Sequence, residues 1–168
     1  MKNFGFFLVM ISVLAMGIPS AYAEGESWIK DENGCAVFNP DPQPNESITW
    51  NGKCKNGYAE GAGTVTWFVD GKPGTTFTGT RTRGKMNGQA SVVFANGDRF
   101  DGSYANDKCH GKGVYTTFDR WRYEGVFDDD DDGCSSQDGT FTAPTGKISK
   151  GSFDDFLLSV NLFRAYYK

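Results

Sequence analysis

Short stretches in which aromatic residues and glycine alternate with mostly polar residues recur along the chain from about residue 50 onward. In residues 100–104 (FDGSY) and 123–127 (YEGVF), two aromatic side chains and a glycine occupy alternate positions. Successive residues of a strand point to opposite faces of a sheet, so this period of two predicts strands with one aromatic face. A polar turn and a second apolar stretch follow each strand, which predicts antiparallel β-hairpins.

The hairpins recur at a nearly constant spacing. The glycine at the centre of the first strand is Gly52, Gly79, Gly102, Gly125 and Gly151, which gives steps of 27, 23, 23 and 26 residues. The two longer steps reflect four extra residues around positions 71–74 and three within positions 128–132, both at turns, where insertions cost little. A fixed period of this length predicts a linear array in which each hairpin contacts its neighbours.

The pattern resembles the MORN repeat, a β-hairpin unit that begins Tyr-Glu-Gly-x-Phe and continues through a polar turn to Gly-x-Gly-x-Tyr. The matching segments are 123–127, 100–104 and 110–115, with weaker matches at 77–79, 87–90, 50–52 and 60–63. The resemblance covers about residues 48–153. The sequence departs from it at Arg81 and Cys54, which replace an aromatic residue, and at 134–136, which lacks the Gly-x-Gly turn.

These observations predict an all-β fold, an elongated curved array of antiparallel β-hairpins. Residues 24–49 are expected to form an irregular N-terminal cap tied by a disulfide, residues 50–153 the MORN-like repeats, and residues 154–168 a short C-terminal cap. Apolar residues at positions 156, 160, 163 and 167 predict that this cap is a helix with Asp154 or Asp155 as its N-cap. The alternation at 156, 158, 160 and 162 also fits a strand.

The first 23 residues have the layout of a secretory signal peptide. Lys2 precedes an apolar run over 4–18, and residues 21–23 (AYA) form a small-x-small cleavage site. The alternative is a membrane anchor, but a spanning helix needs about 20 apolar residues, more than this run supplies. We therefore expect cleavage after Ala23, no membrane-spanning segment afterwards, and a periplasmic or secreted location in a bacterium.

The charge balance bears on the choice of partner. The chain carries 17 basic and 21 acidic side chains, a net charge of −4. Such a balance argues against nucleic acid as a ligand and against docking on anionic lipid through charge alone. Arg81, Arg83 and Lys85 cluster in the second hairpin, whereas residues 128–132 are all aspartate. This separation is compatible with staggered self-association or with two solvated turns.

The chain has four cysteines, Cys35, Cys54, Cys109 and Cys134. In an exported protein, an even number of cysteines indicates disulfides, with three connectivities for four residues. The repeat register places Cys109 and Cys134 at adjacent hairpins on one edge of the array, so we expect Cys109–Cys134 and Cys35–Cys54. A zinc site is the alternative, but there is no Cys-x-x-Cys pair and His110 is the one histidine.

The sequence shows little sign of catalytic or cofactor chemistry. His110 lies at a turn position where the MORN repeat commonly has histidine, and no second residue suggests a catalytic pair. Asp128, Asp130 and Asp132 followed by Gly133 match the first half of a calcium-binding loop, but Gly139 stands where such a loop has glutamate. We expect no cofactor, with a weak Ca²⁺ site as the alternative to a solvated acidic insertion.

The resemblance to MORN repeats implies an exported, non-enzymatic protein-interaction or scaffolding module that binds a protein partner or itself. The candidate binding residues are the rings of the aromatic face, whose alternative role is internal packing: Trp67, Phe94, Tyr104, Tyr115, Trp121, Tyr123 and Phe127. A second hypothesis is an immunity or antitoxin-like inhibitor of a partner toxin. A third is an envelope-acting hydrolase, which would need a deep pocket with converging carboxylates.

Overall fold

The computed structural model describes residues 27–130 and 133–166, so the expected signal peptide at 1–23 lies outside the described residues. The described chain forms one helix, α1 (Phe153–Tyr166), after thirteen strands. The strands are β1 (Trp28–Lys30), β2 (Ala36–Phe38), β3 (Glu46–Trp50), β4 (Lys53–Lys55), β5 (Tyr58–Val69), β6 (Lys72–Thr82), β7 (Lys85–Val93), β8 (Arg99–Ala105), β9 (Lys108–Thr116), β10 (Arg122–Asp130), β11 (Gly133–Ser135), β12 (Gly139–Thr142) and β13 (Ile148–Gly151).

From β5 onward the strands follow one another across a single open sheet. The order is β1-β2-β5-β6-β7-β8-β9-β10-β12-β13, with β3 and β4 beside β5 and β11 beside β10. Every neighbouring pair from β5 to β13 is antiparallel. The structure therefore confirms the predicted fold class, a curved array of successive hairpins in which each contacts its neighbours.

The marker glycines of the repeats lie opposite one another across the sheet. Gly102 pairs with Gly113, Gly113 with Gly125, Gly125 with Gly139, and Gly139 with Gly151. The pairing of Gly125 with Gly139 confirms that the extra residues of the fourth hairpin lie between these two glycines, although Asp128 to Asp130 continue β10 and do not form a turn. The hydrogen-bonded register thus reproduces the register that the spacing of the glycines predicted.

Aromatic rings cover these glycines on one side of the sheet, here called the inner face. The inner face carries one continuous row of cross-strand neighbours, mostly aromatic: Trp50, Val65, Phe77, Val92, Phe100, Tyr115, Tyr123 and Phe141. The ring of Phe100 lies over Gly102 and Gly113, and the ring of Tyr123 lies over Gly125 and Gly139. Glycine has no side chain there, so the rings can approach the backbone closely.

The N-terminal segment is more regular than expected. Residues 24–49 were predicted to be irregular, but their described part contains β1, β2 and most of β3. The strand β2 pairs with β5 in parallel, and Cys35, just before β2, is bonded to Cys54 on β4 with their Cα atoms 5.6 Å apart. Val37, buried on β2, packs in a core with Ile48, Trp50 and Val65, so apolar burial holds these short strands in place.

Three turns that connect successive hairpins share one geometry, with a residue in the left-handed region at the same position. Turns 94–98, 117–121 and 143–147 each close with the same backbone hydrogen bonds, and their fourth residues are Gly97, Arg120 and Gly146. All three have positive φ, which is 72° at Arg120. A side chain disfavours this conformation, so Arg120 is strained where the equivalent positions have glycine.

Replacing Arg120 with glycine is therefore expected to raise the free energy of unfolding by about 0.5 kcal/mol. Glycine relieves the backbone strain of the folded state, and this gain exceeds the cost of the greater conformational freedom that glycine gives the unfolded chain. Urea unfolding would measure this difference. The matched control is Gly146→Ala, at a φ of 87° with open space around it, which should be destabilising. A loss of stability in Arg120→Gly would show that the arginine side chain makes contacts that outweigh its strain.

The helix α1 caps the C-terminal half of the inner face. Its N-cap is Ser152 rather than the predicted Asp154 or Asp155: the Ser152 hydroxyl accepts a hydrogen bond from the Asp155 backbone N–H at 3.1 Å. The Asp155 carboxylate in turn accepts one from the Ser152 N–H at 3.0 Å. This reciprocal capping box fixes the start of the helix one turn before its first buried residue, Phe156. The predicted stripe is confirmed at 156 and 160, whereas position 167 lies outside the described residues.

Candidate interaction surfaces

The helix α1 covers the C-terminal half of the inner face. Phe156 is fully buried, with its ring centroid 5.5 Å from that of Tyr123 and 6.0 Å from that of Phe141. Phe153 lies beside the same rings, 5.2 Å from Tyr115. The helix therefore uses the aromatic row of the last hairpins as its docking surface, and the edge-to-face contacts add to the burial of apolar area.

Four of the seven rings predicted to bind a partner belong instead to the core. Tyr104, Trp121, Tyr123 and Phe127 are each at most 8% exposed. Trp121, at the end of the turn that precedes β10, packs edge-to-face on Phe163 of α1 at 5.6 Å. These rings are buried because α1 and the neighbouring repeats cover them, so they offer no free surface for a partner.

A polar network fastens the far end of α1 to the sheet. The guanidinium of Arg164 donates to both carboxylate oxygens of Asp119, at 2.9 and 3.0 Å, and lies 3.7 Å from buried Asp98. Asp98 accepts hydrogen bonds from the backbone N–H of Phe118 and the hydroxyl of Tyr115, both at 2.9 Å. Burial, and then this hydrogen bond, raise the pKa of Tyr115 well above its usual value. The network links two hairpin turns to the helix.

Replacing Asp119 with asparagine is expected to lower the free energy of unfolding at pH 7 by about 1 kcal/mol, because the carboxylate accepts both hydrogen bonds from Arg164. These hydrogen bonds also lower the pKa of Asp119 below its usual value. The folded state then binds fewer protons than the unfolded state, so the stabilisation is present above the unfolded pKa of about 3.9 and is lost as the pH falls through the folded pKa.

Urea unfolding of both proteins at pH 7 and in acid would test this expectation. The control is Asp101→Asn, which removes the exposed Arg99–Asp101 pair and should cost only a few tenths of a kcal/mol. If the difference between wild type and Asp119→Asn were as large at pH 2 as at pH 7, the ion pair would not be its cause.

Beyond α1, part of the inner face is open and forms a groove, although Trp50, Val65 and Val92 of the row are buried there. The groove has a volume of about 380 Å³ and contains two of the predicted rings, Trp67 and Phe94, together with Phe77 and half-exposed Val69. Its other lining residues, mostly on its rim, are Asn39, Pro40, Asp41, Glu46, Gly74, Thr75 and Ala95. Phe94 also contacts Tyr115, with centroids 5.9 Å apart, so the groove is continuous with the surface under α1.

Sequence reasoning missed part of this groove. Val69 lies two residues after the predicted ring of Trp67 on β5, and Phe77 pairs with Val65 on the same face, so the period of two could have identified both. The contribution of Asn39, Pro40 and Asp41 had no local signal, because these residues come from the N-terminal segment and reach the groove only through the fold. Tyr115, the remaining predicted ring, is half-buried beneath α1.

The acidic segment is only partly described. Asp128 to Asp130 belong to β10 rather than to a turn, and pair with β11. Asp129 forms an ion pair with Lys108 at 2.8 Å, and the exposed carboxylate of Asp128 lies 3.8 Å from His110. Asp132 lies outside the described residues, and the described part of the chain contains no cluster of three acidic, histidine or cysteine side chains able to hold a metal. The weak Ca²⁺ site stays an untested alternative to a solvated acidic segment.

Both predicted disulfides are present. Cys109 on β9 is bonded to Cys134 on β11, with Cα atoms 5.5 Å apart, and Cys35 to Cys54 as described above. Cys109 is buried on its strand rather than in the polar turn, because the turn closes earlier, at Asn106 and Asp107. Each bridge restricts the unfolded chain and is expected to stabilise the fold by about 2 to 4 kcal/mol.

Arg81 shows how a charged residue replaces a ring in the second repeat. It is buried, donates to the backbone oxygen of Gly84 at 2.9 Å, and lies 3.6 Å from Asp107. Burial lowers the pKa of Arg81 to about 10, so the side chain stays charged at neutral pH. Burial also raises the pKa of Asp107. The pair ties the tips of two adjacent hairpins together, at the edge opposite the turn that holds Arg120.

The comparison with protein families agrees with this architecture. The profile of the MORN repeat matches residues 79–99 and 100–122. These two segments are similar to MORN repeats. They extend from the middle of β6 to the start of β10, and the hairpins on either side continue the same row of glycines and rings. A comparison with curated proteins finds no match to the chain.

Within residues 27–130 and 133–166, the one helix is too short and too polar to cross a bilayer.

Proposed function

We propose that this MORN-repeat chain is an exported, non-enzymatic protein-interaction module, and that the groove of Trp67, Phe77, Phe94 and Val69 is its binding surface. One observation carries the proposal: the chain's own helix α1 already docks on the equivalent surface two repeats further along. The MORN matches support the interaction role, since repeat arrays present extended surfaces for recognition.

The two halves of the inner face are built alike. The row that contacts α1 through Tyr115, Tyr123 and Phe141 continues without interruption into Phe77. Trp67 and Phe94 lie two residues beyond this row, 6.4 Å from Phe77 and 5.9 Å from Tyr115 respectively. A helix that fits one half therefore has a similar apolar track on the other.

The rim of the groove indicates the chemistry of the partner. Asp41 and Glu46 lie at its edge, and no Lys or Arg of the described residues lines it. The end of α1 is held by an arginine that reaches two carboxylates, Asp119 and Asp98. We therefore favour an amphipathic helix of another protein, with an aromatic residue in its apolar face and a basic side chain at one end.

The cysteines and the N-terminal sequence support the exported location. Disulfides persist in oxidising compartments, and this small domain has two of them within its repeats and N-terminal segment. The layout of residues 1–23 supports the same location. Mass spectrometry of the protein from its native envelope would test it: a mature chain that begins at Glu24 is expected, and a chain retaining residues 1–23 in the cytoplasm would contradict it.

Replacing Val69 with glutamate is expected to weaken partner binding by about tenfold or more, because a charge would enter an apolar interface. Val69 is 44% exposed, so folding should be little affected. The matched control is Val93→Glu, an exposed valine on the opposite face of the sheet. The partner would be captured from envelope extract under oxidising conditions, purified, and titrated against each variant. Equal affinities for Val69→Glu and Val93→Glu would exclude the groove.

A further inference from the structure

A second recessed surface lies along the edge of the sheet where three successive hairpin tips align. Asn56, Arg83 and Asn106 each occupy the first left-handed position of a tight turn, with φ of 52°, 50° and 53°. Each precedes a second left-handed residue, the geometry of a type I′ turn. Tips of successive hairpins are two strands apart, roughly 10 Å, so these three residues form a regular row.

Arg83 is the exception in this row. Asparagine tolerates the left-handed region because its short side chain bonds locally, and arginine has no such compensation. The turn keeps its shape because the backbone N–H of Arg83 donates to Glu60 at 2.8 Å and that of Gly84 donates to the Ala59 carbonyl at 2.9 Å. Strain retained at an exposed residue is a reason to ask what its side chain does.

Arg83 borders a cavity of about 300 Å³ with a mixed aromatic and cationic lining. The other residues that line it are Trp28, Tyr58, Thr82, Lys85 and Asn106. The rings of Trp28 and Tyr58 contact each other at 5.1 Å, and the Lys85 ammonium lies 4.3 Å from the Phe38 ring centroid and 5.8 Å from that of Trp28. Within the part of the chain that the structure describes, no carboxylate lines this cavity, although the chain as a whole is acidic.

The recess continues on the other side of Tyr58 and Arg83. A second cavity of about 470 Å³ shares these two residues and Thr82, and adds Lys55, Asn56 and Glu60. The Glu60 carboxylate is directed at the backbone of Arg83, where it holds the turn. The two cavities together form a cleft that runs across the tips, with an aromatic ring in the middle and cations on both sides.

We propose that this cleft binds an acidic oligosaccharide, with a carboxylate-bearing pyranose in the cavity of Trp28 and Arg83. Aromatic rings stack on the apolar faces of sugars, Asn106 and Thr82 offer hydrogen bonds to hydroxyls, and Arg83 and Lys85 attract the carboxylate. The backbone N–H groups of the central tip are already bonded, so recognition falls to side chains rather than to strand pairing with a peptide. The spacing of the tips suits a linear chain of sugar rings.

The test is calorimetric titration of the disulfide-bonded full-length protein with a tetramer of galacturonic acid. Saturable binding is expected. Three controls should bind at least about tenfold more weakly: a tetramer of glucose, which lacks the charge, and acetate and tetra-aspartate, which lack the sugar ring. Equal binding of tetra-aspartate would identify an anion or acidic-peptide site and overturn the proposal, as would equal binding of the neutral sugar or no binding at all.

The decisive variant is Arg83→Asn. Asparagine suits the left-handed turn, so the fold should be kept, while loss of the guanidinium is expected to weaken galacturonate binding by about tenfold. The matched control is Arg120→Asn, which changes another left-handed arginine on the opposite edge and should bind as the wild type does. Unchanged affinity in Arg83→Asn, or an equal loss in Arg120→Asn, would overturn the assignment of the site. Val69→Glu should leave this binding intact, so the cleft and the groove are tested separately.

Discussion

Replacing Phe156 with alanine is expected to lower the free energy of unfolding by about 3 to 5 kcal/mol. The ring is fully buried where α1 meets the sheet and contacts the rings of Tyr115, Tyr123, Phe141 and Phe153. Alanine would remove these contacts and leave a cavity that rigid strands on one side cannot fill. Urea unfolding followed by tryptophan fluorescence would measure the loss.

The matched control is Leu158→Ala, two residues along the same helix. Leu158 is 59% exposed, so its replacement should change stability by no more than about 0.5 kcal/mol. If the two variants lost similar stability, α1 would not dock through Phe156. A dye that binds exposed apolar surface should also respond to Phe156→Ala and not to Leu158→Ala, because only the first loosens the cover of the aromatic face.

Replacing Gly113 with valine is expected to lower the free energy of unfolding by about 3 kcal/mol. A Cβ atom at this position would lie 2.7 Å from the Cζ atom of Phe100 and 2.8 Å from the Cδ2 atom of Phe127. Both rings are buried, so neither can move aside without disturbing the next repeat. Thermal or urea unfolding would measure the effect, with Lys112→Val on the outer face of the same strand as the control.

A double substitution separates this clash from the loss of strand geometry. Phe100→Ala is destabilising alone, but it removes one of the two rings that the introduced valine side chain would strike. The double variant Gly113→Val with Phe100→Ala should therefore be more stable than the two single losses predict when added, by about 1 kcal/mol or more. Strict additivity would show that the clash with the Phe100 ring does not cause the loss of stability in Gly113→Val.

These two substitutions, Phe156→Ala and Gly113→Val, probe the same feature from opposite sides. The rings of the aromatic row pack on glycine backbone on one side and need an apolar cover on the other. The helix α1 supplies this cover along only half of the row. The proposed binding groove is the open part of the other half. Phe156→Ala should therefore enlarge the accessible apolar surface, whereas Val69→Glu should block the groove. Comparing partner affinity in Phe156→Ala and Val69→Glu would show whether α1 limits the extent of the binding surface.

Several features followed directly from the sequence. The positions of Gly102 and Gly125 predicted the strand register, because glycine is required where a ring lies on the backbone of its own strand and of the neighbouring strand. The same register predicted the pairing of Cys109 with Cys134, since equivalent positions of adjacent hairpins lie on one edge. The apolar spacing of Phe156 and Val160 indicated a helix, although the capping residue, Ser152, was missed because Asp154 and Asp155 also favour a helix start.

The sequence by itself thus determined the repeat, its register and its disulfides, which depend on contacts between neighbouring hairpins at a fixed separation. Only the tertiary structure decided which rings are core and which are surface. Trp67 and Trp121 both lie on the inner face, yet Trp121 is buried because α1, more than 30 residues further along the chain, folds back over it. The same is true of the tip cleft, where Trp28 meets Arg83 through the parallel contact of β2 with β5. Local alternation specifies the face of a side chain, but what covers that face depends on segments distant in sequence.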